Sequence, residues 1–267
     1  MSFPDSPRFI YEKNPLIEVV CQLRFPRILR IDSDSPVAFQ EKIRREYPIF
    51  KENQASDLKL NLPPEIAKLA GGVFPSALRT GKASYDFISA DENWKVGLTS
   101  EFVSLSTLKY ERWEDFKSHL EKPLEALLEI YEPAFFSRIG LRYKDLICRE
   151  ELGLENCVWS ELLQPHIAGE LGDENIAKDI SEIAKQVRIN IEDINAAVFL
   201  QHGLVHSEDA NNNQIYYLID SDFSTKNTHT EISHAIEKLD NFNKQSKRLF
   251  RWCITERLHL AMAPHSI

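Results

Sequence analysis

Apolar and polar positions alternate most legibly between Tyr85 and Ile147, and the rest of the chain reads outward from there. The run YDFISADENWKVGLTSEFVSLST predicts strands over about 84–89, 93–99 and 102–107, with Ala90 to Asn93 as a polar turn, which together make a meander. Trp113, Phe116, Leu120, Leu124, Leu127 and Tyr131 then recur every three or four residues, the repeat that puts side chains on one face of an α-helix. Pro123 lies inside that pattern; it lacks a backbone donor and crowds the preceding turn, so a kink or two abutting helices are expected before Pro133 ends the element. After Pro133 the period falls to two. Ile139, Leu141 and Tyr143 point to one side of a strand, and Arg138, Arg142 and Lys144 to the other.

Upstream, LIEVVCQLRF alternates as a strand, with Ile17, Val19, Cys21, Leu23 and Phe25 on one face. DSDSP is turn-like, and Pro36 suits the first position of a helix over about 36–46. Between 51 and 81, LKLNL fits a strand and PPEIAKLA a short helix. Downstream, 149–157 is a charged connector, WSELLQPHIAGEL predicts a short helix ending near Gly169, and Ile176, Ile180, Ile183 and Val187 repeat at helical spacing. AAVFLQHGLV and QIYYLIDSDF read as a hairpin around the Asn211 to Asn213 loop. Ile232, Ala235, Leu239, Phe242, Ser246, Leu249 and Cys253 mark a last helix of about 25 residues, which fits a sheet surface better than a coiled coil with a partner.

The order of meander, long helix and strand is echoed by hairpin, long helix and the LHLAMA run. The expected fold class is therefore α+β: antiparallel sheets, each covered by a long amphipathic helix, in two structurally similar halves. The halves would be 1–148 and 149–267, packed as one compact unit.

Composition narrows the function classes. The chain has 267 residues, 43% of them hydrophobic and 27% charged, with no apolar run long enough to cross a bilayer, so no membrane partner is expected. The opening MSFPDSPRF lacks the charged and apolar regions of a signal peptide, which points to the cytoplasm. A formal net charge of -9 argues against broad nonspecific DNA binding. Cys21, Cys148, Cys157 and Cys253 form no CxxC pair and read as buried thiols rather than zinc ligands.

The segments YEKNPLIEVVCQLRF, RIGLRYKDLI, YLIDSDF and RLFRWCITERL together resemble a sporadically distributed, uncharacterised family of bacterial proteins of similar length. The family's central motif commonly reads like LRYIN, so Lys144 and Asp145 depart from it. The resemblance carries over no activity, and its patchy distribution implies defence-associated or toxin-related gene neighbourhoods.

Two constellations could carry chemistry. His202 and His206, in HGLVH, share a strand face, as do Asp220 and Asp222, in IDSD, and imidazole with carboxylate suits divalent metals if the hairpin register brings the pairs together. Arg138, Arg142 and Lys144 on the central strand read either as a solvated sheet face or as an anion clamp. Lys247, Arg248 and Arg251 crowd the end of the last helix, where they complement its dipole, and with the strand row they would make a groove for RNA or another polyanion. Glycine-rich phosphate loops, nucleophile elbows and HExxH are absent from the sequence. The leading expectation is a non-enzymatic module with a protein partner and no cofactor, metal or catalytic residues. An RNA or polyanion binder is the first alternative, and a small-ligand protein or enzyme with a site between sheet and helices the second.

Overall fold

The computed structural model describes residues 3–54, 83–206 and 214–266. The expected strand LKLNL and helix PPEIAKLA lie outside them, as does the asparagine loop. Mixed helices and antiparallel sheets make the α+β class. Two compact units interleave along the chain rather than dividing it near residue 148. A meander unit comprises Glu18–Leu141 and Thr225–Leu239, and a hairpin unit comprises Met1–Ile17, Arg142–Ser224 and Asp240–Ile267.

The meander unit contains β2 (Leu16–Arg24), which begins just outside it, then α1 (Leu29–Ser33), α2 (Val37–Ile43), β3 (Ile49–Gln54), β4 (Ala83–Ile88), β5 (Trp94–Thr99), β6 (Phe102–Thr107) and α3 (Trp113–Tyr131). Its strands run in the order β3-β4-β5-β6-β2, and the registers explain why alternation was readable. Phe50 faces Phe87, Phe87 faces Val96, Val96 faces Leu105, and Leu105 faces Cys21, so one apolar row crosses five strands. Trp94, on the same side of β5 as Val96, meets Phe116 and His119 of α3, with ring centroids 5.7 and 3.8 Å away. One position along each strand, Lys51, Asp86, Gly97, Ser104 and Gln22 align as a polar row on the other side.

Three local expectations change here. Asp32 and Ser33 of DSDSP belong to a helical turn, α1, whose Ile31 is fully buried. The helix expected over 36–46 is shorter, ending at Ile43. No break divides α3 at Pro123, which is itself buried in the helix face; Glu132 in a left-handed conformation ends the helix just before Pro133.

In the hairpin unit, β7 (Arg138–Cys148), entering from the meander unit, β10 (Ile215–Thr225), β9 (Ala196–His206) and β8 (Ala184–Ile191) are neighbours in the order β7-β10-β9-β8. A separate two-stranded sheet pairs β1 (Phe9–Tyr11) with β11 (Pro264–Ser266), Ile10 facing His265. The helices are α4 (Trp159–Leu162), α5 (Pro165–Ala168), α6 (Ala235–Cys253), whose first turn belongs to the meander unit, and α7 (Glu256–Ala261). Leu239, Phe242, Ser246, Leu249 and Cys253, the periodic positions of α6, are all buried. Phe242 packs on Phe223 of β10, and the Tyr143 hydroxyl of β7 donates to Asn243 Oδ1 at 3.1 Å, which places α6 on the Tyr143 side of β7.

Two expected elements take other forms. Ile176 to Val187 does not make a helix: a single 3-10 turn at Ala177–Asp179 is followed by β8, which pairs with β9 from Ala184↔Gly203 to Ile191↔Ala196. Backbone pairing decides the conformation here, and Val187 stays exposed. LHLAMA is mostly helical, as the end of α7, and only Pro264–Ser266 beyond it is a strand. All four cysteines are buried free thiols.

Candidate functional site

The central strand uses its basic residues internally. Arg138 Nη1 donates to Gln22 Oε1 at 3.4 Å and so joins the polar row of the meander unit. Arg142 clamps Asp220 of β10 in a two-pronged pair, with Nε donating to Oδ1 at 2.7 Å and Nη2 to Oδ2. Lys144 is only 2% exposed. Strand alternation puts Arg142 and Lys144 opposite Tyr143, and it is Tyr143 that meets α6. Within this unit Arg142 and Lys144 therefore share no groove with Arg248 and Arg251.

The histidine and aspartate pairs are also separated by their partners. His202 Nδ1 and the Tyr217 hydroxyl lie 2.7 Å apart in the core, and burial lowers the pKa of that imidazole to about 4. His206 Nε2 meets the Ser181 carbonyl at 2.6 Å, while Asp220 is engaged by Arg142. Among the described residues, no group of three or more His, Cys, Asp or Glu side chains is placed to hold a metal ion.

The last helix is different. Arg248 and Arg251, one turn apart near the end of α6, line a cavity of about 530 Å³ together with Trp252, His166 of α5, His259 of α7 and the N-terminal arm. Lys247 is not among its walls. Arg248 is 4% exposed in its side chain, yet its Nη2 donates to Asp5, whose side chain is 79% exposed. Arg251 Nη2 donates to the exposed Glu256 at 2.9 Å, and its Nη1 is buried without a hydrogen-bond partner. Arg248 is thus sunk into the protein and Arg251 partly so, while Asp5 and Glu256, which pair with them, stand in solvent.

The aromatic walls are fixed by tilted and edge-on ring contacts. Between ring centroids, Trp252 lies 4.0 Å from His166 and 5.5 Å from Phe3, and Phe9 meets His259 edge-on at 4.6 Å. His259 Nδ1 is 2.8 Å from the Tyr11 hydroxyl, and burial lowers the pKa of both His166 and His259 below the free-imidazole value, the Arg251 charge adding to the effect at His259. Both imidazoles are therefore neutral at pH 7, and the fixed positive charge of the walls comes from the two arginines. Asp145, on the Tyr143 side of β7, has its carboxyl pushed well above the usual range by burial and then by Asp220, and burial likewise raises Cys253 and Tyr11, with Asp145 adding a smaller push.

Sequence reading had singled out Arg248 and Arg251 but not the other walls. His166 and His259 stand alone in apolar surroundings, and Asp5 belongs to a Pro-punctuated arm with no periodicity; the usable signal was the local pair Arg251 and Trp252. No family model matches the sequence, and no curated protein matches it. A solved structure with some likeness is the substrate-free duplicated taurocyamine kinase from Schistosoma mansoni, at 11% identity and a TM-score of 0.36, over 92% of this chain. The chain spans about a third of that protein's length (34%), and likeness at this level carries no conclusion about fold or activity.

Proposed function

We propose that the protein is a non-enzymatic binding module that takes a carboxylate- or phosphate-bearing ligand at Arg248 and Arg251. The observation that carries this reading is the asymmetry of the two ion pairs, in which a buried Arg248 and a partly buried Arg251 pair with exposed carboxylates and Arg251 Nη1 is left without an acceptor. A planar fork of donors matches a carboxylate or phosphate, and an exposed acidic side chain is weakly held because water and salt compete for it. Trp252 supplies an apolar wall beside the charge. The polyanion reading has less support: Arg142 is neutralised by Asp220 and Lys144 is sequestered, so β7 offers no open cationic row.

Calorimetric titration at low ionic strength with succinate, glutarate and inorganic phosphate tests the proposal. At least one of these anions should bind with a stoichiometry of one and weaken as salt is added. Arg251→Gln should weaken binding about tenfold or more, since a hydrogen bond to a charged group contributes roughly 1.5–3 kcal/mol. Absence of binding by all three anions would overturn the reading.

A further inference from the structure

Resting on that reading, we propose that the ligand is an acidic, extended peptide segment of a partner protein, and that the N-terminal arm from Phe3 to Arg8 is its internal stand-in. The arm behaves like a bound peptide. Residues 4–8 are neither helix nor strand, and Pro4 and Pro7, which bracket Asp5, both line the cavity. Its side chains make the contacts such a ligand needs: Phe3 on Trp252 and the Asp5 carboxylate on Arg248. Proline restricts the free chain to conformations close to the bound one, which lowers the entropy cost of laying a segment in a groove.

The arm can leave without the rest of the fold, at the cost of uncovering the buried Phe3 ring. Beyond the cavity it is anchored by β1, where Phe9 to Tyr11 pair with β11, so residues 3–8 can leave while the fold keeps its small sheet. The Arg248 bond holds the Asp5 carboxyl below the usual range, so it is ionised at neutral pH and competes with any incoming carboxylate. The cavity of about 530 Å³ lies beside the arm, which forms part of its wall, and is in the range of sites for ligands larger than a lone dicarboxylate or phosphate even before the arm leaves. An incoming segment with a carboxylate near an aromatic residue would place its acid on Arg248, reach Arg251 Nη1 as a second donor, and expel the arm.

The test uses the full-length protein and a labelled, end-capped peptide of sequence Phe-Pro-Asp-Ser-Pro, copying residues 3–7, in a fluorescence anisotropy titration. Asp5→Asn, at an exposed position, removes the competing charge without touching the core. It should bind the peptide about two- to five-fold more tightly than wild type, the scale of an exposed ion pair. A peptide carrying Asn in place of Asp should bind at least about two- to five-fold more weakly to either protein. Equal affinity of the two proteins for the peptide, or equal binding of the Asp and Asn peptides, would overturn the inference. If succinate or phosphate binds Asp5→Asn and the peptide does not, the peptide inference falls while the anion reading stands; if none of them binds either protein, both fall.

Discussion

A buried ionisable side chain carries information only through the partner it finds. Alternation alone aligned Arg138, Arg142 and Lys144 on one side of β7, but Asp220, which neutralises Arg142, is 78 residues away and invisible to any local pattern. His202 is a similar case: its spacing fits a candidate ligand, and it is instead a core histidine paired with Tyr217, kept neutral by burial, with the Lys185 charge adding to the effect. A histidine whose pKa falls from 6.5 to about 4 on folding binds fewer protons folded than unfolded, so stability must decrease as pH is lowered through that interval. Urea unfolding of wild type and His202→Gln at pH 7.5 and pH 5 isolates this contribution. The wild type should lose about 1–2 kcal/mol more than the variant on acidification, and an equal loss would mean that His202 is not held neutral.

At the scale of elements, legibility followed burial. The strands of the meander and the two long helices were readable because Phe87, Val96, Leu105 and Cys21 on one side, and Leu239, Phe242 and Leu249 on another, are buried at the spacing their elements dictate. The stretch from Ile176 to Val187 misled because its isoleucines have helical spacing but no common buried face, so pairing with β9 sets the conformation. That pairing depends on a close backbone approach. A Cβ on Gly203 would run into the Ile183 carbonyl, which already accepts a hydrogen bond from the Leu204 amide at 3.0 Å. Gly203→Ala should therefore destabilise the protein by about 1–3 kcal/mol and speed amide exchange along β8 more than along β5; thermal unfolding and hydrogen exchange would show it. Unchanged stability and protection would contradict this view of the strand edge.

Across the whole molecule, the α+β class could be read from the period changes along the chain, whereas the two units could not, because segments far apart in sequence build each of them. The cavity was legible only in its arginines. Its histidines come from short helices, and its acidic partner comes from an arm that no periodicity describes. Net acidity of -9 does not oppose an anion site, because affinity is set by the two guanidinium groups at the cavity wall and by how weakly exposed carboxylates hold them. Trp252, one of four tryptophans, reports on that wall. The most direct test is a titration of 15N-labelled protein with succinate, following the four indole N–H resonances, with Trp252 assigned by Trp252→Phe. Binding at Arg248 and Arg251 predicts a saturable shift of the Trp252 signal while those of Trp94, Trp113 and Trp159 stay in place. A titration in which the Trp252 resonance does not move would contradict the anion site.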